Sequence, residues 1–72
     1  MTQEEFLNEL TALTGTPRAI TENMLLEDIP EWDSLAAMST VSLFEEKLNK
    51  EIELTTMEKM RSVSDLIKAA GI

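Results

Sequence analysis

Signals for the start of a helix occur four times in this 72-residue chain, and each precedes apolar residues at helical spacing. In a capping box, a hydroxyl side chain and an acid three residues later both accept hydrogen bonds from backbone N–H groups at the helix start. Two signals are capping boxes, one is a weaker cap of the same spacing, and one is an Asp-Ser pair of the kind preferred at helix N-caps. In chain order they are Thr2 with Glu5, Asp33-Ser34, Thr55 with Glu58, and a weaker one, Ser62 with Asp65. We therefore predict an all-α fold, a four-helix bundle with a short third helix around one aliphatic core.

Glycine and the apolar stripes predict where the elements end. We expect the first helix at roughly residues 3–14, because Gly15 can close it in a left-handed conformation. The second helix should run from Ser34 to about Asn49. Residues 51–54 alternate polar with apolar side chains, which predicts a short extended segment. The positions expected to face the core from the second helix are Ala37, Met38, Val41, Phe44 and Leu48.

The long connection over residues 15–33 has no sustained periodicity. A loop of this length in a small domain is either functional or held down by its own side chains. Its apolar residues, Ile20, Met24, Leu25, Leu26 and Ile29, are expected to hold it against the bundle. We interpret residues 1–72 as a single domain, since the chain is too short for two cores.

The composition argues against several classes of protein. The chain has no cysteine and no histidine, which removes disulfides, the commonest general base and the commonest metal ligand. It carries a net charge of −8, with eight acids and one base in residues 1–33 and six acids and five bases in residues 34–72. This field repels nucleic acid and attracts partners with basic patches. No apolar run is long enough for a membrane span or a signal peptide, so we expect a cytoplasmic protein without membrane insertion.

The segment Asp33-Ser34-Leu35 stands at the junction of the long loop and the second helix. Asp and Ser are ordinary N-cap residues, so capping alone explains two of the three. Leu35 is different, because a helical wheel points it away from the predicted core and toward Ser39, Ser42 and Glu46. An exposed leucine beside a hydroxyl at a helix start indicates a docking surface.

This junction resembles the attachment site of the acyl and peptidyl carrier proteins, a family of four-helix bundles with a long loop between helices 1 and 2. The resemblance covers essentially the whole chain. Residues 25–29 are similar to the family's loop, residues 41–48 to its second helix, residues 52–63 to its short third helix with entry and exit, and Leu66-Ile67 to its fourth. Asp-Ser-Leu alone is a weak motif, and the order of the surrounding elements makes it specific.

The resemblance implies that the Ser34 hydroxyl is joined by a phosphodiester to 4′-phosphopantetheine. A magnesium-dependent phosphopantetheinyl transferase would donate this group from coenzyme A. The thiol of the arm would carry an acyl or aminoacyl group as a thioester, so the reactive sulfur belongs to the cofactor. The chain would be a monomeric, non-catalytic carrier that presents its cargo to loading and transferring enzymes with basic patches. Asp33 is expected to help bind the transferase, and Leu35 to pack against partner enzymes.

Two places depart from the family's commonest pattern. Trp32 stands where glycine is frequent, and we interpret it as a hydrophobic plug between loop and bundle. Ala36 and Ser39 stand where carriers of fatty acid biosynthesis tend to have acids, although Glu45 and Glu46 are kept. Among fatty acid, polyketide and nonribosomal peptide biosynthesis, the change favours a dedicated pathway over general fatty acid synthesis. The expected partner contacts are Asp33, Leu35, Ser39, Glu45 and Glu46.

An acidic helical protein-interaction module without a prosthetic group explains the charge and the helices equally well and stays the alternative. A calcium sensor lacks its ligand loop here, and a hydrolase using Ser34 lacks both the Gly-x-Ser-x-Gly turn and a histidine. The methionines at positions 24, 38, 57 and 60 are interpreted as adaptable core filling rather than as a binding groove. Carriers of this family can shelter an acyl chain between their helices, and the sequence leaves that possibility open.

Overall fold

The computed structural model describes residues 1–72 as four α-helices without a β-strand. Helix α1 spans Gln3–Thr14, α2 spans Ser34–Lys47, α3 spans Leu54–Glu58 and α4 spans Val63–Ala70. A single 3₁₀ turn, Leu26–Asp28, interrupts the long loop between α1 and α2. The prediction of four helices with a short third one is confirmed. None of the four has the length and apolar character that a bilayer-spanning segment requires.

The ends of α1 form as their sequence predicts. The Glu5 N–H donates to Thr2 Oγ1 at 3.1 Å, and the Thr2 N–H donates to the Glu5 carboxylate at 2.8 Å. Gly15 closes the helix in the left-handed conformation, with φ at 71°. Helix α4 likewise begins with a complete capping box, between Ser62 and Asp65. The signal predicted to be weaker is therefore fully formed.

The predicted start of α3 is wrong. The N-cap is Glu53 and makes no side-chain cap hydrogen bond, so Thr55 lies inside the helix instead of capping it. Leu54 packs against the core and Met57, three residues later, is fully buried, so packing rather than capping sets the start of this five-residue helix. The predicted extended segment pairs with no strand, although its Ile52 does pack against the core.

One core unites all four helices. Its fully buried members include Phe6, Leu66 and Phe44, the last of which was predicted. Val41, also predicted to face the core, is half-buried like Ile52, and both pack against its edge. Helix α4 buries one apolar stripe, which consists of Val63, Leu66, Ile67 and Ala70. The buried hydrophobic cluster consists of Phe6, Leu10, Ile20, Leu26, Ile29, Ala37, Leu43, Phe44, Met57, Val63, Leu66, Ile67 and Ala70.

The buried face of α2 differs from the predicted one. Met38, expected in the core, is 51% exposed, whereas Leu43, expected to lean outward, is buried. The whole buried face is turned by roughly 80° about the helix axis from its predicted direction. The residues that α2 buries are Ala36, Ala37, Thr40, Leu43 and Phe44.

Thr40 explains how this face tolerates a polar side chain. Its Oγ1 donates to the Ala36 carbonyl at 2.8 Å, so the hydroxyl is satisfied within the helix although it is completely buried. A buried hydroxyl with such a partner escapes most of the cost of losing water. Ala36 and Ala37 are small enough to let neighbouring elements approach α2 closely.

The long loop is fastened to the junction of α3 and α4. The Leu26 N–H donates to the Arg61 carbonyl at 2.9 Å, and the Val63 N–H donates to the Met24 carbonyl at 3.0 Å. These bonds form one antiparallel bridge between Leu25 and Ser62. Side chains alternate along an extended segment, so Met24 and Leu26 face inward and Leu25 outward. The prediction that Leu25 holds the loop down is therefore wrong, and its side chain is 44% exposed.

Candidate functional site

Asp33 determines how α2 begins. Its backbone is extended, its Oδ1 accepts from the Ala36 N–H at 2.9 Å, and its carbonyl accepts from the Ala37 N–H at 2.9 Å. Ser34 is therefore the first helical residue, one position inside the cap. Because the Asp33 side chain accepts the capping hydrogen bond, the Ser34 side chain takes no part in the cap and is exposed. Sequence alone left both residues as possible caps, and the structure assigns the cap to Asp33.

Two backbone donors beside the Ser34 side chain are free. Asp33 accepts from the third and fourth N–H groups of α2, whereas the N–H groups of Ser34 and Leu35 have no acceptor within the chain. The first turn of α2 contains no acidic residue. The helix dipole adds partial positive charge at this end. An anion bonded to the serine would find these two donors and the dipole, beside the carboxylate of the capping Asp33.

The chain just before Asp33 is packed rather than free. Trp32 is half-buried against the core, as expected of a plug, and its backbone N–H donates to the Ile29 carbonyl at 3.0 Å. Glu31 is half-buried, and its buried Oε1 has no hydrogen-bond donor. A buried acceptor without a donor is uncommon in folded proteins, so this oxygen marks a place where a further donor would be stabilising.

An apolar pair lies next to the serine. Leu35 is 70% exposed and Met38 is 51% exposed, the two highest values among the large apolar side chains of the chain. Residues three apart on a helix are neighbours on its surface, so the two side chains adjoin. Sequence reasoning found Leu35 and missed Met38. The spacing between them is the signal that could have revealed a second, outward-facing stripe.

The far end of α2 supplies negative charge. Glu45 and Glu46 are exposed, while Ser39 is half-buried at the boundary of the buried face. The neighbouring Lys47 forms its ion pair with α1, where its Nζ donates to Glu9 Oε1 at 2.8 Å. This hydrogen bond raises the pKa of Lys47 above its ordinary value. The structure thus places Leu35, Met38, Glu45 and Glu46 on one solvent-facing side of α2, which we term the outer face.

The predicted partner contacts are therefore not equivalent in position. Leu35, Glu45 and Glu46 belong to the outer face, Ser39 lies at its margin, and Asp33 is engaged in the cap. No group of three or more side chains in the structure is arranged to hold a metal ion. The features particular to this end of α2 are an accessible hydroxyl, two free N–H donors and an adjoining apolar pair. No protein-family model matches the chain, and comparisons with the curated proteins and with the solved structures find no match.

Proposed function

We propose that this chain is a carrier protein that holds an acyl or aminoacyl group on 4′-phosphopantetheine attached to Ser34. The observation that carries the proposal is the exposed Ser34 hydroxyl at the start of α2, outside the cap and beside free backbone donors. The long loop fastened to the bundle and the short α3 support an acyl-carrier-like arrangement of the four helices. The sequence resemblance around Ser34 points to the same function.

The residues around Ser34 fit such a group. A phosphodiester on the hydroxyl carries a negative charge, which suits the free N–H groups of Ser34 and Leu35 at the positive end of the helix dipole. The pantetheine arm contains amide N–H donors. The buried oxygen of Glu31, three residues before the attachment site, is an acceptor that lacks a donor.

The prosthetic group, when bound, supplies a thiol that holds the cargo as a thioester. The chain itself supplies position and surface. Asp33 fixes the start of α2 and therefore the direction of the serine side chain. The bridge between Leu25 and Ser62 holds the preceding loop in place.

The proposed partners are a phosphopantetheinyl transferase and the enzymes that load and transfer the cargo. Leu35 would contact them directly, because covering an exposed apolar side chain removes it from water and stabilises the complex. Glu45 and Glu46 would attract basic patches and raise the rate of encounter. In this proposal the carrier is a cytoplasmic monomer that serves a dedicated biosynthetic pathway and catalyses no reaction itself.

The test is loading of the serine. The purified chain is incubated with coenzyme A, magnesium and a broad-specificity phosphopantetheinyl transferase, and its intact mass is measured. One phosphopantetheine should be added to the parent and none to Ser34→Ala. Ser42→Ala, which removes an exposed hydroxyl from the same helix, is the matched control and should still be loaded.

The outcomes separate the two candidate functions. Loading that persists in Ser34→Ala would contradict the site, provided that circular dichroism shows the helices intact. A parent chain that accepts no group, although the transferase loads a reference carrier, would favour the alternative of an interaction module without a prosthetic group.

A further inference from the structure

The five methionines of the chain differ widely in exposure. Met38 is 51% exposed and Met1 41%, whereas Met57 is completely buried. The other two, Met24 and Met60, are half-buried against the core. The chain has no cysteine, so thioethers are its only oxidisable sulfur atoms. Met38 should therefore be oxidised more readily by an oxidant in solution than any core methionine.

Met38 is also the methionine nearest the proposed attachment site along α2. It lies four residues after Ser34 and three after Leu35, one helical turn away from each. With Leu35 it forms the apolar part of the outer face. A change in the polarity of Met38 would alter the surface that partners must cover to reach the serine.

We propose that Met38 is an oxidation site whose conversion to the sulfoxide weakens docking at the Ser34 end of α2. The inference rests on the proposed carrier function and adds a means of regulation to the same site. The oxidant is hydrogen peroxide. The O–O bond breaks, one oxygen is transferred to the methionine sulfur, which is oxidised by two electrons, and the other oxygen leaves as water.

The physical effect follows from the exposure of the side chain. A sulfoxide is polar and hydrated. A partner that covers it must remove its bound water, which costs free energy that covering the thioether does not. The fold should tolerate the change, because the Met38 side chain already faces solvent. Oxidation of Met57 would instead place a polar group in the core. The proposed modification is reversible, since methionine sulfoxide reductases restore the thioether.

Met1 provides an internal control. It is the other exposed methionine, and it borders a shallow groove that Lys47 also lines, at the opposite end of α2. The fourteen residues of α2 separate that end from Ser34 by about 20 Å along the helix axis. Oxidation of Met1 should therefore leave docking at Ser34 unchanged.

The experiment uses the chain without its prosthetic group, so that no cofactor thiol competes for the oxidant. The parent and Met38→Leu are treated with hydrogen peroxide, and peptide mass mapping locates the added oxygen atoms. Loading by the phosphopantetheinyl transferase is then measured as kcat/KM, and each variant is compared with its own untreated sample. Circular dichroism confirms that the treated samples keep their helices.

In the parent, Met38 should be oxidised ahead of Met57, and loading should fall by about tenfold, the factor that corresponds to about 1.4 kcal/mol of binding free energy. A methionine sulfoxide reductase should restore it. In Met38→Leu, oxidation of Met1 should leave the ratio of treated to untreated loading at one. Met38→Gln, which is polar without oxidation, should load more slowly than Met38→Leu.

The inference alone would be overturned by full loading of parent protein whose Met38 is oxidised, or by an equal loss of loading in treated Met38→Leu. Resistance of Met38 to peroxide under conditions that oxidise Met57 would also overturn it. Failure of the untreated parent to load would instead overturn the proposed function, and the inference with it. The failures of the two proposals are therefore distinguishable.

Discussion

The aromatic rings of Phe6 and Phe44 meet edge to face, with centroids 5.9 Å apart and ring planes inclined at 65°. Both side chains are fully buried. An edge-to-face pair of this kind stabilises a core beyond the burial of its area. Because Phe6 belongs to α1 and Phe44 to α2, the pair fixes the helix that carries Ser34 against the rest of the bundle.

Phe44→Ala should therefore lower the free energy of unfolding by about 3–5 kcal/mol, because it empties a large core site and removes the ring contact. That loss is comparable with the whole stability of a small domain. The control is Val41→Ala, on the same helix but half-buried, which should cost clearly less. Urea unfolding followed by circular dichroism measures both. A Phe44→Ala chain that unfolds at the urea concentration of the parent would show that this ring is not part of the core.

A second prediction tests the direction of the buried face of α2. Leu43→Ala should cost about 2–5 kcal/mol, as large-to-small changes in a core do, because the leucine is buried. Met38→Ala should change the stability by no more than about 0.5 kcal/mol, because the methionine faces solvent. The same unfolding measurement compares the two. If Met38→Ala lowered the stability more than Leu43→Ala, the buried face of α2 would be the one that the sequence predicts.

The sequence predicted the elements better than it predicted this face. The capping boxes at Thr2 and Ser62 and the left-handed Gly15 were predictable because each depends on atoms only a few residues apart. The buried side of α2 depends on what packs against it. A wheel that ranks side chains by apolarity favours Met38 over Thr40, and it cannot register that the Thr40 hydroxyl is satisfied by the Ala36 carbonyl.

The same distinction between local signals and packing explains which residues of the candidate site could be predicted. Leu35 was predicted to be exposed, and the structure confirms it, because a leucine well off the core direction stays outside even when that direction turns by roughly 80°. Met38 is one of the residues on the predicted buried face, and the rotation of that face places it on the solvent side instead. Leu25 was misplaced because the bridge to Ser62 joins residues far apart in the sequence. Such a contact leaves no local signal.

A third prediction concerns acid. The carboxylate of Asp65 accepts from the N–H groups of Arg61 and Ser62 at 3.1 and 3.2 Å. These hydrogen bonds, that from Arg61 foremost, lower the pKa of Asp65 below its ordinary value of 3.8. A carboxyl whose pKa is lowered by folding stabilises the fold above its unfolded pKa, and the contribution disappears as the pH falls through the folded pKa.

Asp65→Asn removes this titration. The variant should be less stable than the parent near neutral pH, and the difference should shrink as the pH is lowered through 3.8 and beyond, where Asp65 becomes protonated in both states. Urea unfolding across a pH series gives the difference in the free energy of unfolding. Glu5, whose pKa is lowered by its hydrogen bonds to Thr2, is present in both chains and does not affect their difference. A difference that stays constant into acid would contradict the role of the Asp65 carboxylate.

The final prediction separates the two parts of the outer face of α2 by kinetics. The apolar part, Leu35 with Met38, adjoins Ser34, whereas Glu45 and Glu46 lie about three turns further along the helix. An apolar anchor at the centre of an interface acts mainly on the lifetime of a complex, and charges at its rim act mainly on the rate of association. The transferase is the partner to use, since the proposed function requires it.

Leu35→Ala should raise the dissociation rate of the transferase complex by about tenfold, the effect of losing about 1.4 kcal/mol, while leaving the unfolding transition unchanged. Glu46→Lys should instead slow association at low salt and flatten its salt dependence, because screening removes a long-range attraction that the variant no longer has. Glu4→Lys makes the same change of charge on α1 and should affect association less. Surface plasmon resonance across a salt series measures both rates. If Leu35→Ala destabilised the fold and left binding unchanged, Leu35 would be a structural residue, and the outer face would not be the docking surface.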